Sequence, residues 1–288
     1  MGSVFFNNGI VVMLEACLFF AVFDSLTKFL IHSFTLGEIV FVRFCFGALM
    51  MTPALLRHGS RIDRKGFLLL MFRGVSGAGT FYLTLLAFRD GALSVTMVLF
   101  FTNPLWALFL GALFLKEHLT WERILSVATA ILGITVLINP WGEGIAVSHL
   151  YGLAAGLMGG ANSVVTRHLR MRHSSQVIYG FHSIVGTLAS LPFAVGPVRM
   201  PQMADGILLV ISAAFGLLGQ VAMNHGFRFI RAAEGSTLLM VEAILTSIVG
   251  ILLFYEPFTL TFLVGAVMIL GSGIYLGLRT GSETIGMD

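Results

Sequence analysis

Ten runs of roughly 20 apolar residues fill this chain, and little lies between them. A hydrocarbon core about 30 Å thick needs about that length of helix, so each run is a candidate membrane span. They cover 10–31, 36–56, 66–88, 92–115, 121–138, 150–166, 176–196, 207–227, 233–255 and 259–278. No connection is long enough for a soluble domain. Of the 288 residues, 57% are hydrophobic and 11% charged, where an average soluble domain has about 25% charged. That leaves too little polar surface to cover a water-soluble globule. The composition excludes a free-standing cytosolic enzyme, a disordered chain and a nucleic-acid-binding partner. Its two cysteines, Cys17 and Cys45, sit inside apolar runs and read as small core residues. The first run has no basic leader before it and no small-residue cleavage site after it, so it is expected to be a retained helix.

The bases set the expected orientation. With the connections numbered alternately, one side collects Arg57, Arg61, Arg64, Lys65, Lys116, Arg123, Arg167, Arg170, Arg172, Arg228, Arg231 and Arg279. The other side has Lys28, Arg89 and Arg199. The positive-inside bias makes the richer side cytoplasmic, with both termini there.

A repeat runs through the chain at one offset, 139 residues, without a gap from about residue 14 to 120. Lys28 meets Arg167, Arg43 meets His182, and Pro53 meets Pro192. Phe88-Arg89 meets Phe227-Arg228, and Gly111, Glu117 and Thr120 meet Gly250, Glu256 and Thr259. The register divides the chain into residues 1–139 and 140–288. Each unit holds five spans, an odd number, so the second must cross the membrane in the opposite sense. The expected fold is an all-α integral membrane protein, with two inverted five-helix repeats around a central cavity. Substrate sites in such proteins lie near the midplane where the repeats meet.

The residues that carry the repeat also carry a resemblance. Phe88-Arg89 through Ala92, Asn103-Pro104, Gly111 and Leu115-Lys116-Glu117-His118-Leu119-Thr120 resemble the first-repeat signature of the drug/metabolite transporter superfamily, EamA type. Gly250 to Phe254 and Glu256-Pro257-Phe258-Thr259 echo it in the second unit. Asp24 to Leu30, then Glu38 and Val42-Arg43-Phe44, are similar to the opening of members that include bacterial S-adenosylmethionine carriers. The resemblance implies ten helices, inverted units, a central cavity and transport of small organic metabolites, often as export. Where the family has a proline in the fourth helix, this chain keeps Pro104; the matching place in the ninth is Ala243.

Ionisable groups inside spans are costly and usually face a cavity or the protein interior. Glu242, near the middle of the ninth span with no base within one turn, is the leading candidate for a coupling proton site or substrate contact. Its counterpart is Asn103, beside Pro104, which can kink the fourth span. Glu15 reads either as a proton or cation site or as a group hydrogen-bonded near the interface. Asp24 and Lys28, four apart, are expected to pair and anchor the end of the first helix. Gln220 and Asn224 share a helix face, and with Asn162 they read as cavity lining or as interhelical hydrogen-bonding groups. Tyr82 and Trp106 either pack or stack on a planar or cationic substrate. Arg43 is expected to fix helix packing or reach the outer interface sooner than to touch substrate, and Arg73 to snorkel to the cytoplasmic interface. Glu117 and Glu256 read as structural, each capping the start of the following helix. His168 and His173 lie in a basic loop and read as a topology signal.

No nucleotide-binding pattern, metal cluster or catalytic constellation is expected, and no cofactor. The leading expectation is a secondary transporter in a bacterial inner membrane, coupled to protons and working by alternating access, as a monomer or homodimer. Its substrate would be a cationic or zwitterionic small molecule with a planar part, like S-adenosylmethionine, a flavin or an amino acid. The alternatives are an intramembrane lipid-modifying enzyme and a membrane subunit that does not transport.

Overall fold

A computed structural model describes residues 2–57, 62–115, 121–139, 144–194, 203–229, 235 and 238–282. The helices are α1 (Gly2–Leu30), α2 (Leu36–Arg57), α3 (Arg64–Asp90), α4 (Leu93–Phe100), α5 (Asn103–Leu115), α6 (Trp121–Ile138), α7 (Val147–Arg170), α8 (Ser175–Ala194), α9 (Met203–Gly226), α10 (Met240–Leu253) and α11 (Leu260–Ser282). The described residues contain no strand. In hydrocarbon every backbone N–H and C=O must be satisfied within the protein, and helices do this segment by segment. The side chains left outside are apolar: Leu18, Leu68, Leu132 and Leu188 are all exposed, as a lipid-facing surface requires.

Local chemistry sets several helix starts. Thr35 and Glu38 form a reciprocal cap at α2: Thr35 N–H donates to Glu38 Oε2 at 2.7 Å and Glu38 N–H to Thr35 Oγ1 at 3.3 Å. Asp63 Oδ1 accepts from Gly66 N–H at 3.0 Å at the start of α3.

The fourth span is two helices and not one. It breaks at Phe101-Thr102, and Pro104 opens the second piece, where its missing N–H costs nothing. The ninth span breaks too, at Leu239, although Ala243 stands where the first repeat has Pro104. The second interruption forms with alanine at the proline's position.

The main helix contacts run between the repeats. They are α2 with α8, α1 with α9, α3 with α7, and α6 with α11. Exchanging the repeats maps the first and last pairs onto themselves and swaps the middle two. This is the contact pattern of two inverted five-span units around a pseudo-two-fold axis in the membrane plane. Individual bonds repeat as well. Thr27 and Ser212 hydroxyls meet at 3.1 Å, and at the equivalent positions Arg73 Nε donates to Thr166 Oγ1 at 2.8 Å. Lys28 Nζ donates to the carbonyls of Phe88 and Gly91 at the end of α3. Arg167 Nη1 donates to the carbonyl of Phe227, the equivalent residue, at 2.6 Å. Each cation satisfies carbonyls left open at a helix C-terminus and complements its dipole.

Three expectations from the sequence are corrected here. Asp24 does not pair with Lys28: the ammonium reaches the α3 carbonyls instead, and Asp24 is buried facing inward. Arg73 does not snorkel to an interface; it is buried against Thr166 and His182, whose Nδ1 lies 3.2 Å from its Nη1. Glu256 caps a helix of the other repeat and not the one that follows it. Its Oε1 accepts from Leu93 N–H at 2.5 Å and its Oε2 from Ser94 N–H at 2.9 Å, at the start of α4. Tyr255 at φ 53° makes the turn that aims it there. Glu117, its repeat equivalent, lies outside the described residues.

Candidate functional site

Between the repeats lies a cavity of about 850 Å³, mouth included, walled by helices of both. One wall is the inner face of α1: Phe20, Phe23, Asp24 and, behind them, Thr27, at helical spacings of three and four. The matching face of α7 carries Gly159, Asn162, Ser163 and Thr166, and all four line the cavity. The two broken helices bring Asn103 and Glu242 to it. Gly160 lets the break come close to α7, since a Cβ there would lie 2.5 Å from the Asn103 carbonyl oxygen.

Asp24 and Glu242 are both buried, and both line the cavity. Arg43 stands near enough to act on both electrostatically. Its guanidinium carbon lies 4.2 Å from the centre of the Phe23 ring and 4.0 Å from that of Phe81. Aromatic faces stabilise a desolvated cation by about 2 kcal/mol, which helps offset its burial. Among the described residues no carboxylate is in salt-bridge contact with Arg43, and its Nε has no hydrogen-bond partner.

The remaining polar lining divides into satisfied and open groups. Asn162 is satisfied: its Oδ1 accepts from Ser76 Oγ at 2.7 Å and its Nδ2 donates to Thr80 Oγ1 at 3.2 Å. Asn103 Oδ1 and Gln220 Nε2 are buried with no partner among the described residues. A buried amide atom left open costs about 1–3 kcal/mol.

Of the residues singled out in the sequence, Glu242, Asn103, Asn162 and Gln220 come together at the cavity. Asn224 is buried beside it and not in its lining, and its carbonyl accepts from Arg170 Nε at 2.8 Å. Tyr82 packs on Phe193 with ring centres 5.3 Å apart and the rings tilted by 37°, and Trp106 Nε1 donates to Thr102 Oγ1 at 3.1 Å; neither lines the cavity. Glu15 is exposed on the outside of α1. Asp24 and Arg43, read from sequence as structural, both line the cavity. The repeat register held the signal for Asp24, because its equivalent is Ser163, next to the polar Asn162 on the same face.

Residues 7–139 and again 146–278 match the EamA-like transporter family. The chain is 26% identical to the pseudopaline exporter of Pseudomonas aeruginosa over 77% of this chain and 78% of that one. It is 24% identical to the S-adenosylmethionine uptake transporter of Rickettsia felis, covering 88% of this chain and 86% of the relative. To the riboflavin transporter of Brucella anthropi it is 24% identical, over 85% of this chain and 89% of that one. A solved crystal structure superposes with a TM-score of 0.68 at 14% identity, covering 96% of this chain and 98% of the other. That likeness bears on the fold.

Proposed function

Because the chain belongs to the EamA-like transporter family, we propose that it is a secondary transporter that exchanges protons for a small organic metabolite by alternating access. The family and the named relatives indicate a transporter and not an enzyme. The observation that carries the coupling is the Asp24–Glu242 carboxyl pair, buried in the cavity where the repeats meet. Two carboxyl groups buried in one cavity, away from bulk water, cannot both stay ionised at low cost without a cation between them. The pair is therefore a place for one positive charge, met either by a proton or by a cationic group of the substrate. Taking them in turn, on opposite sides of the membrane, exchanges one for the other. Aromatic rings beside the pair, Phe20 and Phe23 among them, favour a substrate with a planar part. S-adenosylmethionine-like, flavin-like and amino-acid-like compounds fit this description.

The units we read as residues 1–139 and 140–288 rock against each other around this fixed site. The loop charges support a bacterial inner membrane with both termini cytoplasmic. The cavity is walled by one chain, so a monomer suffices for the cycle and a homodimer would hold two independent cavities.

Flux in proteoliposomes tests the proposal, with labelled S-adenosylmethionine and riboflavin as probes. An acidic lumen is expected to drive uptake of an accepted probe, because protons leave as the probe enters. Glu242→Gln is expected to remove the response to the gradient. Uptake by the native protein that ignores the gradient would sink proton exchange.

A further inference from the structure

The exchange reading leaves a second set of cavity groups unused. Arg43 is 8% exposed and Gln220 5% exposed, both line the cavity, and each has a buried nitrogen donor, Nε and Nε2, with no partner among the described residues. Phe23 and Phe81 cover Arg43 at 4.2 and 4.0 Å, so what remains of the guanidinium for hydrogen bonding is its edge. A planar fork of N–H groups matches a carboxylate in its own plane. Neither donor has a copy in the other repeat. His182 stands at the position equivalent to Arg43, and Phe81 at that equivalent to Gln220. The donors are thus a feature of one side of the pseudo-axis, the side that also holds Asp24 and Glu242.

We infer that the preferred ligand is a zwitterion, whose anionic oxygens sit on the edge of Arg43 and on Gln220 while its cationic group sits on the Asp24–Glu242 pair. This rests on the transporter reading above and narrows its substrate class. A ligand with only a cation would bring a second positive charge beside a buried guanidinium and leave both donors empty. A ligand with only an anion would meet the carboxyl pair. A zwitterion adds no net charge to a cavity walled by Arg43, Arg73, Asp24 and Glu242, and it satisfies groups of both signs. Across the axis Asn103 Oδ1 is left to accept an N–H from the rest of the ligand.

Equilibrium binding to the purified full chain tests this with probes of similar shape and different charge. One set is S-adenosylhomocysteine, its decarboxylated amine and 5′-methylthioadenosine. A second is tryptophan, tryptamine and indole-3-propionate. Within the set that binds, the zwitterion is expected to bind on the order of tenfold to a hundredfold more tightly than the amine or acid, the range for a hydrogen bond to a charged group. Arg43→Lys keeps the charge but loses the fork, and is expected to erase that preference. Gln220→Glu is close in shape and turns a donor into an acceptor. It reads the same contact should the lysine variant fail to fold. An amine that binds as tightly as its zwitterion, variants that keep the native preference, or no binding by either zwitterion would each overturn the inference. Binding is read without flux, so a failure here is separate from a native protein that ignores a pH gradient.

Discussion

Lys28 and Arg167 stand 139 positions apart and play one role, each closing the C-terminal carbonyls of a neighbouring helix. Thr27 with Ser212, and Thr166 with Arg73, repeat a second interhelical contact. Much of the cavity lining differs between equivalent positions. Glu242 corresponds to Asn103, Asp24 to Ser163 and Gln220 to Phe81. The two repeats agree at these interhelical contacts and differ in those lining groups. A symmetric frame lets one packing be exchanged for its mirror partner, so the same hollow can open to either side. An asymmetric lining lets a single ligand be held in one orientation.

The comparison breaks most sharply at Glu242 and Asn103. Glu242→Gln is expected to lower gradient-driven flux roughly thirtyfold or more, the size of loss when one partner of a buried charged contact is removed. Asn103→Leu removes an amide with no partner at Oδ1 among the described residues, and its effect is expected to fall on substrate affinity while the response to the gradient stays. Flux at two lumenal pH values separates the two variants. Equal loss of coupling in both would mean that the two sides are functionally equivalent.

The frame was legible in the sequence because it follows from run length, loop charge and a register free of gaps. The cavity was legible only in part. Glu242, Asn103, Asn162 and Gln220 could be found because a polar side chain inside an apolar run needs a reason to be there. Asp24 was misread because Lys28 lies four residues on, and helical spacing alone favours a pair. What spacing omits is the open α3 carbonyls, which take the ammonium and leave the carboxylate to turn inward. A lone base in a span normally snorkels, which points Arg73 to an interface and Arg43 to one or to helix packing. Their partners are two phenylalanine rings, a threonine and a histidine, distant in sequence and unmarked by charge. Glu256 was assigned to the helix after it, since a cap is usually local; its real partner lies 163 residues away.

Close approach differs between the repeats and gives the next largest effect. Gly160 faces Asn103 in the second repeat, and its equivalent in the first is Ala21. A methyl group at 160 would lie 2.5 Å from a backbone oxygen, which cannot swing aside as a side chain can. Gly160→Ala is expected to cost about 1–3 kcal/mol through overpacking. Ala21→Gly, on the side that already accommodates a methyl, is expected to cost about 0.5–1 kcal/mol through helix propensity and lost packing. Thermal unfolding in one detergent compares them. The paired cations should behave alike: Lys28→Met and Arg167→Met are each expected to cost about 1 kcal/mol, the net worth of a hydrogen bond. A large difference between them would show that only one end of the molecule depends on its brace.

The smallest effect is expected where the repeats differ outside both frame and cavity. Arg89 and Asp90 form a two-pronged ion pair at the end of α3, Nε to Oδ1 at 2.6 Å and Nη2 to Oδ2 at 2.8 Å. The second repeat keeps the arginine as Arg228 but has Phe229 in place of the acid, with the guanidinium 6.0 Å from the ring centre. The pair is adjacent in sequence, and its side chains are 51% and 36% exposed, so it orders little of the chain and is open to screening by salt. Asp90→Asn is expected to cost roughly 0.2–1 kcal/mol at low ionic strength and less at high salt. Thermal unfolding at two salt concentrations measures it. A loss comparable to that of Lys28→Met, unchanged by salt, would mean that this end of α3 is held by its surface charge, and that the brace on its carbonyls is secondary.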